Sequence, residues 1–536
     1  MAIIRFLVFI ALLWALPAHA DVTIVNFDNM GDGDEVTKYD TAGNIMDAHA
    51  GRVVQVGTTF YLYGESYSCG FRVFFASAWC GFKVYSSPDL IVWTYVGYLF
   101  DATTQYWQDR CAGTSGAGGC YNLQPIYNPN NNTFVFWFNQ DGPANAYAPD
   151  YLFVFVCSTP TSGCVQQTDP TGLATGYNDD VAIAVDASGN GYVTCNCGRT
   201  SGNPLIVYAL NSSFTDAVGS PTSTGITGAE AYSFFERSGT WYIVYTTPQC
   251  GFCVGGVNTT YISASSALGT YSAPTTLNVG SCNGQNRSVD TIVAGGITTY
   301  LHSTDQWSGH ANEGNANSYI HPLSFTGSAI DPYTCQAHIT IPGITPTTPV
   351  WPGPTPDQTS VPNGDNNFFY SYQTSTSDIR MQTFVPTTST LSYIKMSLGQ
   401  ACSNYGGSGT IPCSPPLDAP VNIKLTTLDG SNNPVTTLAT ATIQPSQLSW
   451  AVQWMTVPFN VTGLTPGTHY GLVVQTTSSN GAAGISITNS TPSPYAAGVE
   501  RYSTDGGATW TTEATRALMF STFSNPLPQD GGGRRL

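Results

Sequence analysis

Through the first two-thirds of the chain one pattern of apolar and polar positions recurs. A short apolar strand runs into a tight polar turn and out again into an aromatic strand. The five copies are 52–63, 124–137, 181–193, 232–245 and 290–302. Each has turn residues at its tip (Val56-Gly57-Thr58 and Ser188-Gly189-Asn190 are examples) and reads as a β-hairpin. The copies start roughly 50 to 75 residues apart, which leaves room for two more strands per unit. Five four-stranded units predict a closed five-bladed β-propeller, with one long β-sandwich as the alternative.

The pattern stops at residues 338–365. From Ile341 to Pro356 a proline falls every two to four residues, which excludes helix and central strand and favours polyproline II. Beyond it, 366–523 alternates apolar and polar positions over about eight short strands, such as 381–385, 393–398, 421–425, 454–459 and 470–474. That predicts a jelly-roll sandwich. At the other end, Arg5, the apolar run Phe6–Leu16 and Pro17-Ala18-His19-Ala20 have the form of a signal peptide with Asp21 as the new N-terminus. The expected organisation is therefore all-β. Residues 1–20 form the signal peptide, 21–337 the propeller, 338–365 a Pro/Thr-rich linker, 366–523 the sandwich (a candidate carbohydrate-binding module) and 524–536 a disordered tail.

Composition narrows the partners. Charged residues make up 9% of the chain, against about 25% in ordinary globular proteins. The net charge of −17 excludes nucleic acid and anionic membrane, and no later stretch approaches ~20 continuous apolar residues. A neutral, hydroxyl-rich partner such as a polysaccharide fits, and a monomer is expected. The 14 cysteines fall mostly in close pairs: Cys69/Cys80, Cys111/Cys120, Cys157/Cys164, Cys250/Cys253 and Cys402/Cys413, with Cys282/Cys335 as a long-range pair. In a secreted, extracellular chain these read as disulfides. Cys195/Cys197 and Cys250/Cys253 also have the form of metal-ligand pairs, but no histidine stands at zinc-site spacing. No metal or cofactor is called for, and bound structural calcium is not readable. Sequons stand at Asn131, Asn211, Asn258, Asn286, Asn460 and Asn489.

A propeller brings the starts of its innermost strands to one end of the axis. Acids just before those strands therefore converge. Asp179-Asp180 precedes the third copy, Glu230 the fourth, and Asp47-Ala48-His49 the first. Two carboxyls flanking a glycosidic oxygen are what glycoside hydrolysis needs. The structural alternatives are a turn cap at Asp179 or Asp180 and an ion pair between Glu230 and Arg237. Among aromatics, Trp307, Tyr63, Trp107 and Tyr67 are candidates to stack on sugar faces, Trp307 foremost.

Several stretches resemble glycoside hydrolase family 43, and within it the exo-β-1,3-galactanase branch. Ala48-His49-Ala50-Gly51 followed by Tyr61-Leu62-Tyr63-Gly64-Glu65 is similar to the branch's Ala-His-Gly-Gly and Trp-Tyr-Gly-Glu elements. The segment 84–93, the segment that Asp180 opens, Glu230-Ala231 before 235–242, Asp305-Gln306-Trp307 and 317–323 resemble later elements in the same order. The likeness covers about residues 40–330. It implies a five-bladed propeller with Glu230 as general acid, Asp180 as the carboxylate that orients and tunes it, and Glu65 on the terminal sugar. His49, Asp47, Trp307 and Asp305 are further expected sugar contacts. Most of the family keeps a base Asp where this chain has Ala50. The branch is thought to use a Gln before the fifth blade, for which Gln285 is the nearest candidate, with Asp290 and Asp47 as rivals. The branch's Glu-Arg-Pro at the second blade is here Tyr121-Asn122-Leu123-Gln124-Pro125. The implied activity is inverting release of galactose from β-1,3-galactan. The competing readings are a non-catalytic carbohydrate-binding propeller and a family member acting on arabinan or xylan.

Overall fold

The computed structural model describes residues 21–25, 40–41, 46–67, 80–100, 111, 119–141, 151–173, 180–197, 204–249, 257–307, 317–336, 338–347, 355–360, 369–374, 376–401, 419–447, 453–477, 482–488, 493 and 495–525. The expected signal peptide, Cys69, Trp107, Asp179, Cys250, Cys253, Cys402, Cys413, Asn489 and the tail beyond 525 lie outside them.

Four consecutive four-stranded antiparallel sheets and a fifth of three strands account for the five hairpin copies. Their innermost strands are His49–Val56, Gly119–Asn128, Val181–Val185, Glu230–Arg237 and Gln285–Ala294. Each lies against the next, and the fifth lies against the first, so the ring is closed. Alternate side chains of one strand go to opposite seams. Val181 and Ile183 pack with Ile126, Val135 and Trp137 of blade two. Ala182 and Ala184 pack with Tyr232, Phe234 and Ile243 of blade four. Both faces of the third innermost strand are buried, which is why Val181–Val185 is an apolar run instead of a strict alternation.

The ring is locked at both ends of its chain. Strand Val22–Val25 pairs with His338–Ile341, and Val22, Ile24, Ile339 and Ile341 pack over the seam of blades five and one against Val53, Leu62, Ile292 and Leu301. Near the axis, Arg52 reaches across three blades. Its Nε donates to Asp290 Oδ1 at 3.0 Å, Nη1 to Ile183 O at 3.1 Å and Nη2 to Val289 O at 3.4 Å. Asp290 also accepts from Val53 N and Ser288 Oγ. The planar fork of arginine serves this geometry and a lysine would not.

Disulfides join Cys111–Cys120, Cys157–Cys164, Cys195–Cys197 and Cys282–Cys335, and Cys80 is disulfide-bonded as well. Cys195 and Cys197 are thus not metal ligands. Among the described residues no group of three or more His, Cys, Asp or Glu could hold a metal, and no helix is long and apolar enough to cross a membrane.

The ends of the stretch expected as linker are strands. His338–Ile341 belongs to the clasp just described, and Gln358–Ser360 pairs with Phe520–Phe523. Both lie outside the densest proline run, so their backbone N–H groups are free to pair. The C-terminal region is a β-sandwich of one seven-stranded and one six-stranded antiparallel sheet. Ile394, Met396 and Leu398 of one face Ile423, Leu425, Leu472 and Val474 of the other. The sequence pattern underlies about eight of these strands. Short ones such as Glu500–Ser503 and Thr511–Glu513 carry too few alternations to stand out.

Two variants test these contacts. Arg52→Met leaves Asp290 buried without its cation. It should lower stability by about 3–5 kcal/mol, read from denaturant unfolding. His302 is fully buried, bonded to Asn286 and Tyr333. Burial, with the charges of His321 and Arg287, pushes its pKa down to about 3. The unfolded chain binds this proton near pH 6.5 and the folded one does not, so the stabilisation is present above that pH and is lost as pH falls toward 3. The drop in Tm between pH 6.5 and 4 should be shallower in His302→Gln than in the wild type. An equal drop would contradict it.

Candidate active site

Three of the five innermost strands begin with the same device. His49 pairs with Glu65, Tyr121 with Asn139 and Glu230 with Thr246, and in each case the next paired residue is three positions on. The residue following each of the three has positive φ: Ala50 at 47°, Asn122 at 55° and Ala231 at 56°. These are β-bulges, which turn a strand end and re-aim its side chain. His49, Tyr121 and Glu230 thus occupy equivalent positions around one end of the ring. Blade five has a smaller irregularity between Asn286 and Ser288, which leaves Arg287 as the extra residue.

The bulge in blade one needs glycine on both strands. A Cβ on Gly51 would lie 1.9 Å from Tyr63 O, and one on Gly64 would lie 2.4 Å from Ala48 C. Backbone that close excludes any side chain.

Positive φ on a non-glycine costs on the order of 1 kcal/mol and must be held in place. Asp180 Oδ2 accepts the Ala231 N–H at 2.5 Å, and Asn286 Nδ2 donates to Ala231 O at 2.5 Å. The residue after Glu230 is therefore gripped by blade three on one side and blade five on the other. Blade one repeats the arrangement with a different acid: Asp305 Oδ2 accepts the Ala50 N–H at 2.8 Å. In blade two the Asn122 side chain fixes its own bulge, donating to Val181 O and accepting from Gln124 Nε2.

The sequence candidates fall into two groups around this rim. Glu230 and Asp180 are half-buried and adjacent through the Ala231 peptide. Arg237 donates to Gly327 O and lies 4.1 Å from the Phe325 ring, so it is not a partner for Glu230. The second group spans blades five and one. Trp307 Nε1 donates to Gln285 Oε1 at 2.6 Å, and the Trp307 ring lies 5.9 Å from both His49 and Tyr67. Tyr67 OH donates to Glu65 Oε2 at 2.9 Å. Asn286, which holds Ala231, stands between Gln285 and Arg287 and so connects the two groups.

Asp47 and Asp290 lie deeper. Asp47 is fully buried and accepts from Ser66 Oγ, Tyr67 N and Lys83 Nζ, with His49 Nε2 at 3.2 Å. Burial alone would raise its pKa, but the Lys83 ammonium and the His49 and Ser66 contacts outweigh it and hold the carboxyl well below its usual range. Its lone pairs go to protein groups rather than to a sugar. Asp290 is occupied by Arg52, Val53 N and Ser288. Tyr63 OH donates to Pro160 O, and its ring packs on Phe136 in the seam of blades one and two. The Asn286 sequon is buried with its amide committed, so it is closed to glycosylation; Asn131 and Asn460 are exposed.

Sequence reasoning missed Arg287. Its guanidinium is buried, with Nε on Ser303 Oγ at 3.1 Å and Nη1 3.5 Å from Asp305 Oδ1. Arg287 stands in a polar stretch, Gln285-Asn286-Arg287-Ser288, at the start of its innermost strand, and nothing in that stretch marked it out. Tyr121 was visible only as a departure from the branch's pattern; its equivalence to Glu230 needs the bulge.

No family model matches the sequence, and no curated protein matches it. Solved structures similar to this chain include an exo-β-1,3-galactanase from Phanerochaete chrysosporium, with a TM-score of 0.49 and 17% identity over 86% of this chain and 98% of that one. An exo-β-1,3-galactanase from Clostridium thermocellum has a TM-score of 0.49 and 16% identity over 95% of this chain and 98% of that one. A putative exo-β-1,3-galactanase from Bifidobacterium bifidum has a TM-score of 0.46 and 19% identity over 58% and 96%.

Proposed function

We propose that this chain is a secreted, exo-acting glycoside hydrolase that releases galactose from β-1,3-galactan or arabinogalactan side chains with inversion. The observation that carries the reading is the Glu230 site: a carboxyl at the rim of a closed five-bladed ring, on a strained bulge held by a second acid, Asp180. A turn cap alone would not require a carboxylate from another blade to grip the peptide next to an acid. The choice of galactan rests on the order of motifs in the sequence.

In this reading Glu230 donates a proton to the departing glycosidic oxygen. Asp180 fixes the direction of that carboxyl through the Ala231 N–H. Trp307 is buried against His49 and Tyr67 with its indole N–H fixed by Gln285, and so forms the apolar wall behind the site. Glu65 and Tyr67 are buried and bonded to each other, and they support that wall from within. A water adds to the anomeric carbon from the opposite face. The non-catalytic alternative rests on Ala50, which offers no carboxylate at blade one; glycan binding without turnover would select it.

Glu230→Gln should lower the rate of galactose release from β-1,3-galactan by about 10²–10⁴-fold with the unfolding midpoint unchanged. Undiminished release would refute the assignment. Asp180→Asn retains an acceptor for the Ala231 N–H and Asp180→Ala does not. The alanine variant should therefore lose about 1 kcal/mol of stability that the asparagine variant keeps, while both lose activity.

A further inference from the structure

Ala50 lacks the carboxylate that would take a proton from the attacking water, but the residue beside it carries an imidazole. His49 holds on blade one the position that Glu230 holds on blade four. Its ring is oriented from two sides. Nε2 lies 3.2 Å from Asp47 Oδ1, and Asp47 is anchored by Lys83, Ser66 and the Tyr67 N–H. Nε2 makes no hydrogen bond to Asp47, so the carboxylate acts on the ring by charge: the proton is favoured on Nε2, the nitrogen nearer that anion, which leaves the Nδ1 lone pair available.

Nδ1 faces Asp305 Oδ1 at 3.9 Å, beyond hydrogen-bond length. Asp305 is buried, uses Oδ2 on Ala50 N, and its Oδ1 receives no hydrogen bond among the described residues. One oxygen bridging a gap of that size sits about 2.8 Å from each side. Arg287 Nη1 lies 3.5 Å from Asp305 Oδ1, while Tyr67 and Trp307 border the imidazole. Glu65 is the register partner of His49.

We propose that His49, backed by Asp47, is the general base of this site, and that Asp305 orients the water. The inference rests on the hydrolase reading above. A water donates one O–H to Asp305 Oδ1 and the other to His49 Nδ1. As its oxygen bonds to the anomeric carbon, the proton on the His49 side passes to Nδ1. The bond from that carbon to the leaving oxygen breaks with its electron pair, and Glu230 protonates that oxygen. Gln285 is held by Trp307, and its neutral amide positions instead of accepting the proton.

The test uses the full-length protein and 2,4-dinitrophenyl β-galactoside, whose leaving group departs without an acid. His49→Ala and His49→Gln should lower kcat by about 10²–10⁴-fold. Added azide should restore turnover of His49→Ala and give the α-galactosyl azide, a product that repair of a merely structural defect would not yield. Glu230→Gln should keep most of its activity on this substrate. Wild-type rates in both His49 variants would overturn the assignment. So would azide rescue confined to Gln285→Ala or Asp305→Asn, which would make that residue the base. A wild type inert on the aryl galactoside and on β-1,3-galactan alike would refute the hydrolase reading itself, whereas a wild type active on either, with His49 variants unaffected on that substrate, refutes this inference alone.

Discussion

The ring depends on one cation near its axis. Arg52 belongs to blade one, yet its guanidinium binds a carboxylate and a carbonyl of blade five and a carbonyl of blade three. Apolar seams hold neighbouring blades together, but hydrophobic contact is non-directional and would tolerate slippage along the strands. A planar fork with three fixed acceptors does not. Arg52 thereby ties the innermost strands of blades one, three and five to one another.

At the rim a second constraint takes over. Bulges re-aim His49, Tyr121 and Glu230, and each carries an unfavourable backbone angle. In blades one and four the strain is held by a carboxylate from a neighbouring blade on the adjacent N–H. Neither functional group can move without the blade beside it. This explains how so acid-poor a chain builds a site: the same few carboxylates fix backbone and act on their neighbours.

The fold was legible because it rests on repeated local patterns. The five hairpin copies became the five sheets, and the close cysteine pairs within the described residues became disulfides. The site was legible in part. Glu230, Asp180 and Trp307 stand where strand starts and ends place them. Asp47 and Asp290 look like rim acids in sequence, and only burial shows that Lys83 and Arg52 occupy them. The bulges were hidden because alanine, found at two of the three, has no preference for positive φ; Asn122 alone carried a hint. Register between strands distant in sequence decides what Asp305 touches, and no local pattern encodes that.

The two-stranded clasp has a consequence for biosynthesis. Strand Val22–Val25 emerges from the ribosome first, but its partner His338–Ile341 is made only after all five blades. Until then Val22 and Ile24 have no pairing strand, and the seam of blades five and one lacks Ile339 and Ile341. A chain that ends before residue 338 would lack the strand that pairs with Val22–Val25 and would leave Val22 and Ile24 without their cover, which favours self-association.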